Sequence, residues 1–177
     1  MTTQRIAAAL QRVETVLRRR PEAGLHDDAP ATARWEGGTR VVSSHANGSR
    51  LSTDMPSELG GSGDHVTPGW LFRAGLASCF ATSVAMGAAA QGIELSLLEV
   101  QARSRSDTRG LLGILDPEGQ PVSAGPGDVQ LHVRICASGV SPERLRELVD
   151  HGRRCSPIPT AVETAVPIAL TVDVDPF

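Results

Sequence analysis

With 177 residues, the chain is long enough for one domain with a sizeable hydrophobic core. Its 17 basic and 20 acidic residues give a formal charge of −3, which does not indicate binding to nucleic acid or to an anionic membrane. No stretch has the roughly 18 unbroken apolar residues of a membrane span, and the N-terminus lacks the features of a signal peptide. We therefore expect a cytoplasmic protein, in which three cysteines favour free, redox-active or metal-binding thiols over a structural disulfide framework.

The first thirty residues predict a helix followed by a linker. Apolar residues recur at helical spacing through residues 4 to 20, and Pro21 ends the pattern. Three arginines, Arg18 to Arg20, fall in the last turn, where cations favour the helix dipole. We interpret this run as a solvated helix end, and residues 22 to 30 as a linker.

The next segment predicts three short strands in a meander, over residues 32–35, 40–44 and 50–53. Gly37-Gly38 and Asn47-Gly48 supply the two turns, and an Asn-Gly pair is a strong hairpin signal. A glycine-rich loop follows up to Thr67. We expect Glu58 to hold that loop by accepting hydrogen bonds from backbone N–H groups.

A long helix should begin at Thr67-Pro68, with Thr67 as N-cap and Pro68 at the first helical position. It should run to about Gln91, with Gly92 as its terminator. Small or apolar residues occupy almost every face of this helix. That pattern indicates full burial, either inside the protein or at a subunit interface.

The remaining elements are two strands, a helix and a last strand. The strands are predicted over residues 97–104 and 129–137, and the Gly- and Pro-rich residues 110–127 between them should form a long irregular loop. A helix over residues 141–152, a short helical or turn segment after Cys155, and a strand over residues 168–174 complete an α+β pattern. No internal repeat and no clear domain boundary are visible.

The functional signal lies in two cysteines. Cys79 is in the middle of the long apolar helix, and Cys155 follows a charged helix and two arginines. This arrangement suits one thiol that attacks and a second that resolves, and the attacking species would be the thiolate. Two alternatives stay open, because Cys79 could be a small core hydrophobe and Cys155 an inert loop thiol. We interpret Cys136, on the polar-patterned face of a strand, as structural.

A metal site has weaker support. His151 and Cys155 have the i, i+4 spacing that would let them bind a metal together, but two ligands are too few for zinc. The other four histidines are scattered along the chain. We therefore expect no metal.

Three motifs in this order resemble the family of OsmC and organic hydroperoxide resistance proteins. They are residues 55–61 (Met-Pro-Ser-Glu-Leu-Gly-Gly), residues 67–80 with Cys79 near their end, and residues 155–158 (Cys-Ser-Pro-Ile). The resemblance covers residues 31–177, which we predict to be one OsmC-like domain. Residues 1–30 then represent an N-terminal helix and linker added to the family pattern.

The resemblance implies an α+β fold and an intertwined homodimer, with β-sheets wrapped around central helices that contain the cysteines. It implies an oxidoreductase that reduces organic hydroperoxides in oxidative-stress defence, with a cysteine pair and no metal, flavin or other cofactor. Carried over by position, Cys79 is the peroxidatic thiol and Cys155 the resolving thiol, and an external dithiol reduces their disulfide.

The resemblance also implies a cation beside Cys79, supplied by an arginine of the first hairpin and oriented by a glutamate near the helix start. This chain has Gly69 at the glutamate position. Arg40 is the first candidate for the cation, Arg34 the second and Arg73 the third. Trp70 and Phe72 have two open interpretations, a hydrophobic substrate mouth or a plug in the dimer interface.

The sequence and the resemblance support two functions, one of an enzyme and one of a binding protein. The first is a homodimeric thiol peroxidase acting on organic or fatty-acid hydroperoxides. The alternative is a non-catalytic OsmC-like protein that binds a small apolar ligand, which the missing glutamate favours. A metal-dependent hydrolase lacks the necessary ligand cluster.

Overall fold

The computed structural model describes residues 3–175 and has a mixed α+β architecture. Two short 3₁₀ turns, at Pro21–Gly24 and Ser57–Leu59, add to the regular elements. In chain order those elements are α1 (Thr3–Arg19), β1 (Thr32–Gly37), β2 (Arg40–Ser44), β3 (Arg50–Thr53), α2 (Pro68–Ala90), β4 (Leu95–Arg105), α3 (Thr108–Leu111), β5 (Gly127–Ala137), α4 (Pro142–Arg154) and α5 (Pro157–Thr164).

The predicted meander is confirmed. Strands β1, β2 and β3 form an antiparallel sheet in that order. The turns adopt left-handed conformations that favour glycine, with φ of +115° at Gly37, +55° at Gly38 and +90° at Gly48. The strands of this sheet pack chiefly against one another, and Trp35 on β1 is 70% exposed. A three-stranded sheet therefore presents much of its surface to solvent in the single chain.

Helix α2 begins and ends close to the predicted residues. The Thr67 hydroxyl accepts a hydrogen bond from the Trp70 N–H at 3.1 Å, and Gly92, with φ of +67°, follows the last turn. One face is buried, and each large side chain on it contributes about 1.5–3 kcal/mol. That face holds Leu76, Phe80, Val84 and Ala88; the exposed stripe holds Ser78, Thr82, Met86 and Ala90.

Helix α2 is long and apolar enough to cross a membrane, when judged by length and composition alone. Core helices of soluble proteins pass the same test. Because β4, α4 and α5 all pack against α2, this measure alone does not identify a membrane span.

The core lies where the β4–β5 ladder and α4 meet α2. The two strands pair antiparallel, and their inward side chains alternate with exposed ones. Phe80, Val84 and Ala88 of α2 pack with Leu148 of α4 at its centre. Partly buried residues surround them: Ile93, Leu95, Leu98, Val100, Leu131, Val133, Ile135 and Val149.

Glycines let α2 and α4 approach closely. A Cβ at Gly152 would lie 2.6 Å from Val84 Cγ2 and 3.1 Å from Val84 Cα. On the opposite helix, a Cβ at Gly87 would lie 3.1 Å from Leu148 Cδ1. This close crossing holds the last turn of α4, and Cys155 after it, against α2.

We expect Gly152→Ala to destabilise the protein, because the backbone of Val84 stands in the way of the new methyl group. Overpacking costs about 1–3 kcal/mol, against a gain in helix propensity of about 1 kcal/mol. The net loss of stability is then up to about 2 kcal/mol, and thermal unfolding should show a fall in Tm of up to roughly 8 °C. Gly127→Ala is the matched control, since nothing lies within 4 Å of its added Cβ. Equal Tm values for the two variants would contradict the close crossing.

The predicted last strand is wrong. Residues 165–175 have no regular structure, and Ile168 and Leu170 are 94% and 86% exposed. The alternation of apolar and polar residues in this segment is that of a strand, but a strand needs a neighbour for its backbone groups. Within residues 3–175 no neighbouring strand pairs with this segment.

The long loop before β5 contains a helical turn, α3, that the sequence did not predict. Of the predicted linker, residues 22–30, the part from residue 25 onward lacks regular structure, whereas residues 22–24 belong to the 3₁₀ turn Pro21–Gly24. Helix α1 nevertheless packs against α2. The division of the chain at residue 30 stays a prediction.

Candidate active site

Cys79 and Cys155 line one open cavity of about 560 Å³. Cys79 is on the half-exposed side of α2, and Cys155 is the residue that ends α4. Both thiols are free in the structure. The other lining residues are Leu10, Ser78, Thr82, Ser83, Met86, Gly87, Ala90, His151 and Pro157.

The sulfur of Cys79 accepts two hydrogen bonds from the start of α5. The Ser156 hydroxyl donates to Sγ at 3.3 Å, and the Ile158 N–H donates at 3.5 Å. Ser156 is completely buried, whereas Cys79 is partly exposed to the cavity. The sulfur therefore has polar partners on its protein side and open space on the other.

Cys155 is exposed, and its nearest polar partner is a histidine. Its Sγ lies 3.7 Å from His151 Nε2, and its carbonyl oxygen accepts a hydrogen bond from the Ser83 hydroxyl at 3.4 Å. The predicted spacing thus does bring His151 and Cys155 together. Among residues 3–175, however, no group of three or more His, Cys, Asp or Glu side chains is placed to hold a metal.

Cys136 does not belong to this cavity. It is exposed on β5, beside a groove formed with α4 and lined by Leu97 and Leu145. The structure therefore brings together the two predicted reactive cysteines and leaves out the third.

None of the three predicted cations lines the cavity. Arg40 donates to both carboxylate oxygens of Asp64, at 2.7 and 2.9 Å, and lies 3.7 Å from Asp54. Arg34 is exposed on β1, and Arg73 Nη1 donates to Ser104 Oγ at 3.3 Å. A role for Arg40 beside Cys79 stays a prediction, and the single chain does not provide it.

The glycine-rich loop is held by Asp54, and the expectation for Glu58 is wrong. The nearly buried Asp54 carboxylate accepts from the Ser62 hydroxyl at 2.5 Å, the Thr39 hydroxyl at 2.5 Å, and the N–H groups of Ser62 and Met55. These bonds, led by the Ser62 hydroxyl, hold the pKa of Asp54 well below its usual range. Glu58 is exposed, and within residues 3–175 its carboxylate accepts only from the adjacent Ser57 hydroxyl.

The Asp64 carboxylate completes this polar cluster. Its pKa is also lowered, first by the Ser62 hydroxyl and then by Arg40. An aspartate directly after a strand and before the Met-Pro step was the available sequence signal for a loop anchor.

Helix α1 forms part of the cavity wall through Leu10. Trp70 and Phe72 are not among the residues that line this cavity, so neither of their two interpretations gains support there. Helix α1 therefore contributes to the cavity wall, and the two aromatic residues at the start of α2 do not.

The fold and the site define an α+β protein with a meander, a strand pair and a central helix whose cysteine shares a cavity with a second thiol. A sequence model of the family described as OsmC-like protein matches residues 61–171. Because this match covers more than half of the chain, the protein belongs to the OsmC-like family, and it has the OsmC-like fold.

Solved structures agree with this membership. The organic hydroperoxide resistance protein OsmC of Legionella pneumophila is 27% identical with a TM-score of 0.59, over 78% of this chain and 90% of that one. An OsmC-like protein of Mycoplasma pneumoniae is 16% identical with a TM-score of 0.64, over 78% and 89%.

A third structure is a putative organic hydroperoxide resistance protein of Vibrio cholerae, with captopril in one of its active sites. It is 26% identical with a TM-score of 0.51, over 78% of this chain and 87% of that one. No curated protein matches this chain significantly.

Proposed function

We propose that this protein is a thiol peroxidase that reduces organic hydroperoxides, with Cys79 as the attacking thiol and Cys155 as the resolving thiol. The observation that supports this most directly is the shared cavity, which both cysteines line. The Legionella protein named for organic hydroperoxide resistance, 27% identical, supports the same substrate class.

The reaction balances with these two thiols and one external dithiol. The Cys79 thiolate attacks a peroxide oxygen, the S–O bond forms, the O–O bond breaks, and the alkoxide leaves as an alcohol after taking a proton. Cys79 is then a sulfenic acid. The Cys155 sulfur attacks it, forming a disulfide and releasing water. A dithiol reductant restores both thiols and is itself oxidised to a disulfide.

The cavity walls suit a substrate with an apolar tail. Leu10, Met86, Ala90 and Pro157 contribute apolar surface, and no lysine, arginine or carboxylate is among the described residues that line the cavity. An alkyl or fatty-acid hydroperoxide gains from burying its chain there, whereas a small polar peroxide does not.

The proposal includes a cytoplasmic homodimer. The stripe of α2 from Ser78 to Ala90 is exposed, the meander packs chiefly on itself, and the alternating apolar side chains of residues 166–174 lack cover in the single chain. A second copy would cover such surfaces, and light scattering should then give the mass of two chains.

The deciding experiment mixes the reduced protein with a stoichiometric organic hydroperoxide and counts free thiols. We expect rapid loss of two of the three thiols per chain, with a Cys79–Cys155 link found by mass analysis. Slow loss or none, with the fold intact, would contradict the peroxidase.

A second candidate function is the binding of a small apolar ligand in the same cavity, without catalysis. The engagement of Arg40 with Asp64 and the glycine at position 69 favour it, because no cation then activates Cys79. Such a protein should show slow thiols whose number does not fall with peroxide, so the same experiment separates the two functions.

A further inference from the structure

Ser156 occupies an N-cap position but does not cap its helix. An N-cap serine normally turns its hydroxyl to an N–H group of the first turn. Ser156 precedes α5 and makes no such bond. Its hydroxyl donates to Cys79 Sγ, and the Ile158 N–H, in the first turn of α5, donates to the same sulfur. The sulfur of Cys79 thus takes the place of the capping acceptor.

Backbone hydrogen bonds and burial hold Ser156 in place. Its N–H donates to the Arg153 carbonyl at 3.2 Å, and its carbonyl accepts from the N–H and the hydroxyl of Thr160, at 3.1 and 2.9 Å. The residue has no exposed surface. The hydroxyl therefore has Cys79 as its hydrogen-bond partner and is shielded from bulk solvent.

These two donors favour an ionised sulfur. An N–H can only donate, so the sulfur must accept from Ile158, and a thiolate is a stronger acceptor than a thiol. The first turn of a helix also favours negative charge. Both effects act at the same atom, on the side of Cys79 that faces away from the cavity.

Other charges near the site do not supply this stabilisation. The titratable groups that line the cavity with Cys79 are Cys155 and His151, and these two face each other. Arg153 is paired with Glu163 at 2.8 Å, and Arg73 donates to Ser104. Among the described residues, the start of α5 provides the only hydrogen-bond donors to the Cys79 sulfur.

We propose that Ser156 is a positioning residue that, together with the Ile158 N–H, holds the Cys79 sulfur as a hydrogen-bond acceptor and aims it into the cavity. This inference rests on the proposed function for the identity of Cys79 as the attacking thiol. It predicts that removing the Ser156 hydroxyl makes the sulfur react more slowly at a given pH.

The test uses Cys136→Ser/Cys155→Ser protein, in which Cys79 is the only thiol. The rate of alkylation by iodoacetamide is measured against pH, with and without Ser156→Ala. Loss of the hydroxyl should move the midpoint of this profile upward by about one pH unit, a tenfold change in the ionisation equilibrium. Ser96→Ala is the matched control, because the Ser96 hydroxyl donates to the Cys136 carbonyl within the β4–β5 pair and should leave the midpoint in place.

The conservative variant Ser156→Thr keeps the hydroxyl and should keep the midpoint near that of the serine protein. An unchanged midpoint in folded Ser156→Ala protein would overturn the proposal. If that variant does not fold, the comparison is made between native and urea-unfolded protein that retains Ser156. A native midpoint below the unfolded one supports the proposal, and one at or above it overturns the proposal.

Hydroperoxide consumption is followed separately in the wild-type chain. A shifted midpoint without peroxide consumption would leave Ser156 in its role and remove the peroxidase. Peroxide consumption by the wild type, together with an unchanged alkylation midpoint in Ser156→Ala protein, would support the peroxidase and overturn the role of Ser156. The two proposals therefore fail on different measurements.

Discussion

Cys79→Ser should abolish the reduction of organic hydroperoxides. A serine hydroxyl is nearly the same size as the thiol, but it cannot form a sulfenic acid, so the first step has no acceptor for the peroxide oxygen. Loss of the nucleophile should lower the rate on the order of 10³-fold or more. The measurement is consumption of an organic hydroperoxide with dithiothreitol as the external dithiol.

The structure provides a control for this variant. A serine oxygen at residue 79 can accept the same bonds from Ser156 and Ile158, so the fold should be retained and Tm should change little. Cys136→Ser removes a thiol that lies outside the cavity and should keep the wild-type rate. Wild-type consumption by Cys79→Ser protein would show that the assignment of the attacking thiol is wrong.

Most of the fold could be predicted because its signals are local. Thr67-Pro68 and Gly92 bound α2, and Asn47-Gly48 closes a hairpin, in each case through the conformations that those residues prefer. The last strand could not be predicted correctly in the same way. The alternation of apolar and polar residues is a local signal, but the strand that would pair with this segment lies elsewhere, and residues 3–175 provide none.

The site was only partly predictable, for a related reason. Motifs identified Cys79 and Cys155, and the two residues do line one cavity. The contacts of Arg40 depend on a loop 24 residues further on, where Asp64 meets its guanidinium. Ser156 had a sequence signal, a serine before a proline at a helix start, but that signal predicts an ordinary cap and not a bond to a sulfur 77 residues away.

Cys155→Ser should allow the first chemical step and block its resolution. The open side of the cavity lets peroxide reach Cys79 in this variant as in the wild type, so one thiol per chain should be consumed. Without a neighbouring sulfur, the sulfenic acid meets a second peroxide and becomes a sulfinic acid, which an ordinary dithiol does not reduce.

The measurement treats each protein with excess hydroperoxide and no reductant, then digests it and weighs the Cys79 peptide. We expect Cys155→Ser protein to gain two oxygens at Cys79, about 32 Da, whereas the wild type should hold Cys79 in a disulfide. Cys136→Ser also removes one thiol and should behave as the wild type, since Cys136 faces another groove. If Cys79 of Cys155→Ser protein is not overoxidised to a sulfinic acid, Cys155 is not the resolving thiol. Its place in the cavity wall would then have no part in stopping the oxidation of Cys79.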